Sequence, residues 1–331
     1  MADSNDTCFA CKKNSKLTDE HIIPQAIGGK LKIKIYCEAC NSEFGSSIDN
    51  EISNRFGFLA TILDVKRDRG SLQPFDVQEL TNKINLEFDG QKLIRKTPIV
   101  MIQADKERKL LKFADVIARS KKELMNIIKS IKKKYNIAEE FEVSDNKHPG
   151  PTDVKHELIF DNKLIRRAVT KMAYSFMCYK IPPEITLSDS FANVRQYFIV
   201  GDCSDLACAN FTHTQFMTDY TRPLHKIQIA LNRLDNSVVG YVMLFGIFRY
   251  TVLLSDNYIS RFEWPCLDYT FDPVRQEEVM GNPNFRHRPI KVTDVLHPKH
   301  SKDFVIDEVT KGFKILNKYK SQIEFMKVEP E

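Results

Sequence analysis

The chain of 331 residues reads as an α+β protein, a small cysteine-stapled ββα unit at the N-terminus followed by a larger mixed α+β region. Three observations predict this. Two Cys-x-x-Cys pairs, Cys8/Cys11 and Cys37/Cys40, bracket 25 residues that read as two strands, and an apolar stripe of helical period follows them. Beyond residue 74, strand-like alternation and helix-like periodicity both occur, with no internal repeat. With 42% hydrophobic and 10% aromatic residues, the chain is too apolar to be disordered and long enough for at least two folded units.

In chain order, a strand is expected over Leu17 to Pro24, a turn at Gly28-Gly29, and a second strand in which Leu31, Ile33 and Ile35 alternate with Lys30, Lys32 and Lys34. Phe44, Ile48 and Ile52 repeat every fourth residue and predict one helix with one buried face, the ββα unit ending near Gly57. Pro74 to Met101 reads as β, with Asp89-Gly90 as a two-residue hairpin turn. Residues 105–135 read as a long amphipathic helix in which Leu110, Phe113, Ile117, Leu124, Ile127, Ile131 and Tyr135 share a face. His148-Pro149-Gly150-Pro151 marks a boundary, and Asp161 is placed to cap a helix that Pro182-Pro183 ends near Lys180. Strands are then expected at Tyr197 to Val200, Lys226 to Leu231, Val238 to Phe245, Phe248 to Leu254 and Glu263 to Tyr269, before a final helix from Asp303 to about Tyr319. Lys171 to Phe176 is read as packing against that sheet, with no chemistry implied.

The net charge of +5 is mild, but its distribution is uneven. Residues 104–135 carry eleven Lys or Arg (Lys106, Arg108, Lys109, Lys112, Arg119, Lys121, Lys122, Lys129, Lys132, Lys133, Lys134) against four acids. Such a segment can neutralise phosphates along a nucleic-acid backbone, or can be a solvated helix face. The opening MADSNDTC is polar, and no stretch is as long and apolar as a membrane span, so a soluble, non-secreted, cytoplasmic protein with reduced cysteines is expected.

Four thiolates in two CxxC pairs suit Zn²⁺, which takes tetrahedral sulfur ligands at about 2.3 Å. A unit this small lacks the core to hold itself, so the metal would supply much of its folding free energy. Between and after the cysteines stand Glu20-His21-Ile22-Ile23-Pro24, Ala26-Ile27-Gly28-Gly29, Cys37 to Asn41, Phe44-Gly45 and Ile48-Asp49. This pattern resembles the zinc-binding branch of the HNH endonuclease superfamily, over about residues 8 to 55. The resemblance implies a ββα-metal (HNH) finger that hydrolyses phosphodiester bonds. His21 would be the general base, with Glu20 and Asn41 holding a catalytic Mg²⁺ or Mn²⁺ through oxygen, and Cys8, Cys11, Cys37 and Cys40 a structural Zn²⁺. The Asn that gives the family its middle letter, and braces the loop carrying the base, is missing between His21 and Cys37.

Other residues are weaker candidates. Asp49 would brace the metal site or serve as a cap or surface group. Lys30, Lys32 and Lys34 would contact phosphate or water. Phe285-Arg286-His287-Arg288-Pro289 with His297 and His300 forms a basic loop, and Cys203, Cys208 and His213 fit no common metal template. The expected division is a nuclease finger at 1–58, a connecting hairpin and basic helix at 59–147, and an α+β substrate-recognition, sensor or partner-binding region at 148–331. The resemblance implies double-stranded DNA as substrate, and a restriction or phage-defence effector that works as a homodimer or with a partner protein of a defence system. A non-catalytic zinc-finger DNA-binding or adaptor protein and an RNA-directed nuclease stay open as alternatives.

Overall fold

A computed structural model describes residues 6–328 except 68–71, 81–82, 97, 106–109, 119, 138–153, 202–203, 212–221, 259–265, 280–291 and 299. The chain divides into two compact units, residues 1–72 together with 159–331, and residues 73–158. This differs from the three consecutive segments expected. The last helix of the finger runs on to Ile62 with Phe58 and Leu59 buried, and the finger shares a unit with the C-terminal region.

The finger begins with two short strands, β1 (Asp6–Thr7) and β2 (Asn14–Ser15), closed by a knuckle in which the Cys8 N–H donates to the Lys13 carbonyl. β3 (Leu17–His21) pairs antiparallel with β4 (Lys32–Cys37). Their connection needs both expected glycines. Gly28 has φ of 93°, and a Cβ on Gly29 would lie 1.9 Å from the Ile23 carbonyl oxygen. The single helix expected next is two, α1 (Glu38–Ser46) and α2 (Ile48–Ile62), broken at Ser47 with φ −110° and ψ −91°. The break lets Phe44 on α1 and Ile48 and Ile52 on α2 all be buried.

In the second unit, β5 (Phe75–Glu79), β6 (Asn85–Phe88), β7 (Leu93–Arg95) and β10 (Val154–Lys155) form a sheet in the order β10-β5-β6-β7. The Asp89-Gly90 turn is present but spans four residues, since Phe88 pairs with Leu93; the Asp89 carboxylate accepts from the N–H groups of Gln91 and Lys92. The long helix expected over 105–135 is not formed. β8 (Ile99–Asp105) and β9 (Leu110–Ile117) make a hairpin, and only Lys121–Tyr135 is helical, as α3. Residues 110–117 are rich in Leu, Phe, Val and Ile, which suit a strand, and Ser120 opens α3 by accepting from the Glu123 N–H. Most lysines of α3 are exposed, among them Lys121, Lys122, Lys129, Lys133 and Lys134.

The rest of the first unit is a six-stranded antiparallel sheet under one long helix. α4 (Lys163–Lys180) is capped by Asn162, whose side chain accepts from the Ile165 N–H, while the expected cap Asp161 instead binds Arg166. It ends at Ile181, which is extended as a residue before proline should be, and α5 (Pro183–Thr186) follows. Tyr197 to Val200, expected as a strand, closes helix α6 (Ala192–Ile199), whose last carbonyls accept from the Arg167 guanidinium. Strands β11 (Ala207–Ala209), β12 (His225–Asn232), β13 (Ser237–Leu244), β14 (Phe248–Ser255), β15 (Leu267–Asp272) and β16 (Glu277–Val279) lie in the order β11-β14-β13-β12-β15-β16. The last expected strand thus starts at Leu267, and residues 263–265 fall outside those described. Gly240 admits α4 closely, since a Cβ there would sit 3.1 Å from that of Ala173. Helices α7 (Val292–Leu296) and α8 (Lys302–Val328) complete the unit, and no helix among the described residues is long and apolar enough to cross a membrane.

The finger docks on this scaffold through buried contacts. The hydroxyl of Tyr36 is 2.8 Å from that of Ser175 on α4, Phe56 meets Phe248 at 4.9 Å between ring centroids, and Phe44 meets Phe198 at 5.6 Å. The fully buried His225 donates from Nε2 to the Ile27 carbonyl at 2.8 Å, and its Nδ1 accepts from the Phe245 N–H. Both ring nitrogens are therefore committed to the neutral imidazole, and burial lowers its pKa from 6.5 to about 4. An unfolded chain binds a proton here between those values and the folded chain does not, so this contribution is complete above pH 6.5 and is lost as pH falls toward 4. Denaturant titrations should show His225→Gln losing less stability than the native chain across that window, by on the order of 3 kcal/mol. Parallel profiles for the two proteins would exclude the linkage.

Candidate active site

The four cysteines converge. Their Sγ atoms all lie within 4.8 Å of one another, against about 3.8 Å for sulfurs on an ideal tetrahedral zinc. Cys8 and Cys11 come from the knuckle, Cys37 from the end of β4 and Cys40 from the first turn of α1, so a metal here ties together three segments that a short chain could not otherwise hold. The Cys37 N–H donates to Cys8 Sγ at 3.3 Å, an orienting contact suited to a thiolate. Among the described residues this is the only group of three or more His, Cys, Asp or Glu side chains whose ligand atoms converge.

The residues expected to carry catalysis are placed differently from one another. Adjacent residues of a strand face opposite ways, and Glu20 points inward, 5% exposed, while His21 is half-buried on the other face. His21 is paired across the hairpin with Lys32, and Asp19 with Lys34; both lysines are exposed, and Ile35 is turned to the core. The outward face of the hairpin thus carries His21, whose Nε2 is shielded from solvent, and two exposed ammonium groups.

Glu20 meets a partner that reading the sequence missed. Its carboxylate is bonded to the ammonium of Lys171 on α4, which also binds Asp49 Oδ2 in the first turn of α2 at 2.5 Å. Lys171 is fully buried, and its Nζ lies 5.4 Å from the centre of the Phe44 ring. Burial opposes its charge, yet Asp49 and Glu20 together hold it above its ordinary pKa, while burial raises Glu20 and the nearby Asp49 adds to that rise. The signal in the sequence was a lysine set among Val169, Met172 and Ala173 on a helix buried all round.

Asn41, on α1, donates from Nδ2 to Thr18 Oγ1 at 2.9 Å and to the Asp19 carbonyl at 3.0 Å. It braces the strand that carries His21, the task left open by the missing middle Asn. Glu20 and Asn41 therefore engage different partners, one on the inner side of β3 and one along its backbone. The Glu20 carboxylate is already engaged by an ammonium, whereas Asn41 bonds through Nδ2 and not through the Oδ1 that would face a metal. The zinc residues do fit their metal.

Of the weaker candidates, Asp49 belongs to the Lys171 cluster rather than to the surface. Cys208 is buried 3.4 Å from Thr251, and Cys203 and His213 lie outside the described residues, as do residues 285–289. His300 packs edge-on against Phe211 at 6.3 Å.

Metal analysis of the purified chain should find one zinc, reduced by Cys11→Ser or Cys40→Ser. A chelator should lower the unfolding midpoint by the equivalent of several kcal/mol; a midpoint insensitive to both chelator and serine substitution would rule out a structural zinc.

No curated protein and no solved structure matches the chain significantly. Residues 8–57 match the family model described as HNH endonuclease, so the N-terminal segment is an HNH domain with a four-cysteine cluster suited to zinc, set in an α+β chain.

Proposed function

We infer that this protein is a nuclease whose HNH finger hydrolyses phosphodiester bonds of nucleic acid, with double-stranded DNA as the favoured substrate and His21 as the general base. The observation that carries the reading is the outward face of the β3–β4 hairpin, where His21 stands beside Lys32 on a strand braced by Asn41. Cross-strand partners have Cβ atoms about 5 Å apart, close enough for a lysine to hold a phosphate whose attacking water lies against the imidazole. His21 would take the proton of that water as its oxygen forms a bond to phosphorus. The bond from phosphorus to the 3′ oxygen breaks in the same displacement, and that oxygen takes a proton from solvent water, leaving a 5′-phosphate and a 3′-hydroxyl. Lys32 and Lys34 would offset charge on the phosphate, and zinc would fix the hairpin against α1.

Supercoiled plasmid and single-stranded RNA, each incubated with the zinc-loaded protein with and without Mg²⁺ or Mn²⁺, test this reading. Nicking of plasmid is expected, slowed by about 100-fold or more in His21→Ala at unchanged zinc content. Cleavage of neither polymer by the native chain would leave a non-catalytic zinc finger, and cleavage of RNA alone would move the substrate.

The exposed lysines of α3 suit the same polyanion. Each phosphate contact contributes about 0.9 to the slope of log affinity against log salt. Replacing Lys132, Lys133 and Lys134 by Gln should therefore flatten the slope for DNA by about 2 to 3; an unchanged slope would remove α3 from the interface.

A further inference from the structure

The geometry points to Lys171 as the finger's resident cation: its ammonium fills the place beside Glu20 that a divalent ion would take, and makes Glu20 a positioning residue for the strand that bears His21. The positioning role rests on the nuclease reading above; the cation assignment does not. Lys171 lies outside the matched segment 8–57 and is contributed by α4.

An ammonium buried without water needs charged partners, and here it has two, Glu20 from β3 and Asp49 from α2. An ion bound to the same carboxylates would sit within a few ångströms of Nζ, where like charges repel strongly in a low-dielectric site. The ammonium would have to leave first. Its exit is closed, because α4 is packed against the finger on this side and against the sheet on the other, with Met172, Ala173 and Phe176 fully buried. Divalent ion and Lys171 are mutually exclusive at Glu20.

Two carboxylates against one ammonium leave the cluster with a surplus negative charge, and Asp49 Oδ1 is buried with no hydrogen-bond partner among the described residues. Removing the ammonium would therefore expose a ready pair of hard oxygen donors. That gives the assignment a signature which a merely structural lysine would lack.

Strand parity supplies the link to His21. Glu20 is held from inside by Lys171, the Asp19 carbonyl is held by Asn41, and His21 follows directly on the outer face. The orientation of the base is thus set by a helix that lies more than a hundred residues further along the chain.

The test uses full-length, zinc-loaded protein with Mn²⁺ as the probe, read by electron paramagnetic resonance and by the unfolding midpoint. Lys171→Met should be destabilised and should gain a Mn²⁺ site that raises its midpoint. Adding Glu20→Gln should restore part of the lost stability, since the cluster returns to its native net charge, and should weaken that new site by about tenfold or more. In the native background, Glu20→Gln should leave any Mn²⁺ affinity within about threefold, because Lys171 keeps the ion away from Glu20.

Should Lys171→Met fail to fold, the Glu20→Gln comparison and the Lys171→Met/Glu20→Gln chain carry the decision. A tenfold or greater loss of Mn²⁺ affinity on Glu20→Gln alone would overturn the assignment, as would Lys171→Met and Glu20→Gln destabilising additively. A native chain that follows these binding and stability results but cuts neither DNA nor RNA refutes the nuclease reading and leaves Lys171 as the resident cation. One that cuts, but loses Mn²⁺ with Glu20, does the reverse.

Discussion

The ammonium of Lys171 has no water to solvate it, and the carboxylates that replace water arrive from two separate pieces of the finger. That requirement fixes β3 and the start of α2 relative to α4. Since α4 also covers the six-stranded sheet, the same cluster orients the finger on the core beneath that helix. The nearby hydrogen bond between Tyr36 and Ser175 and the ring contacts of Phe44 and Phe56 follow once the helix is in place. A buried charge set of this kind contributes little net stability compared with apolar side chains of the same size, and its removal piecemeal is costly. Its effect is to permit one arrangement and penalise others.

The finger is thus stapled twice by unlike chemistry. Zinc joins residues close in sequence, through ligands whose spacing is set by tetrahedral geometry, and acts on the knuckle and the start of α1. The Lys171 cluster joins residues far apart and acts on the opposite side of β3. Between them the strand bearing His21 has little freedom to shift along its length, which the proposed role of His21 as general base would need, since small misplacements of a catalytic group are expensive in rate.

What could be seen in the sequence was whatever chemistry or period confines to a short window. The Cys-x-x-Cys spacing revealed the metal cluster, Gly28-Gly29 the tight connection, and the apolar runs either side of Gly246 two core strands. The inward alternation of Ile33 and Ile35 was equally visible, and it has a corollary for Glu20 and His21, since neighbours on a strand cannot share a face. Other features were hidden for physical reasons. Leu110, Phe113 and Ile117 satisfy a helical spacing and a strand composition at once, and pairing with β8 decides between them. The break at Ser47 preserves a buried stripe that a continuous helix would also show. The resemblance marked Asn41 as a ligand, and only coordinates reveal which atoms its amide nitrogen meets. No local pattern could have linked Lys171 to Glu20.

The division of the chain has a bearing on how the protein is made. Residues 73–158 form a unit of their own, interposed between the finger and the helix that completes it. A ribosome therefore releases the finger, zinc ligands included, well before α4 and the sheet have been synthesised. At ordinary elongation speeds that interval is on the order of ten seconds or more. Through all of it Glu20 and Asp49 stand without their ammonium and Tyr36 without its cover, so the strand carrying His21 is held only from the side of Asn41 and the cysteine cluster. If the finger cuts nucleic acid, the strand that carries His21 gains its second staple only once α4, about half-way along the chain, has emerged.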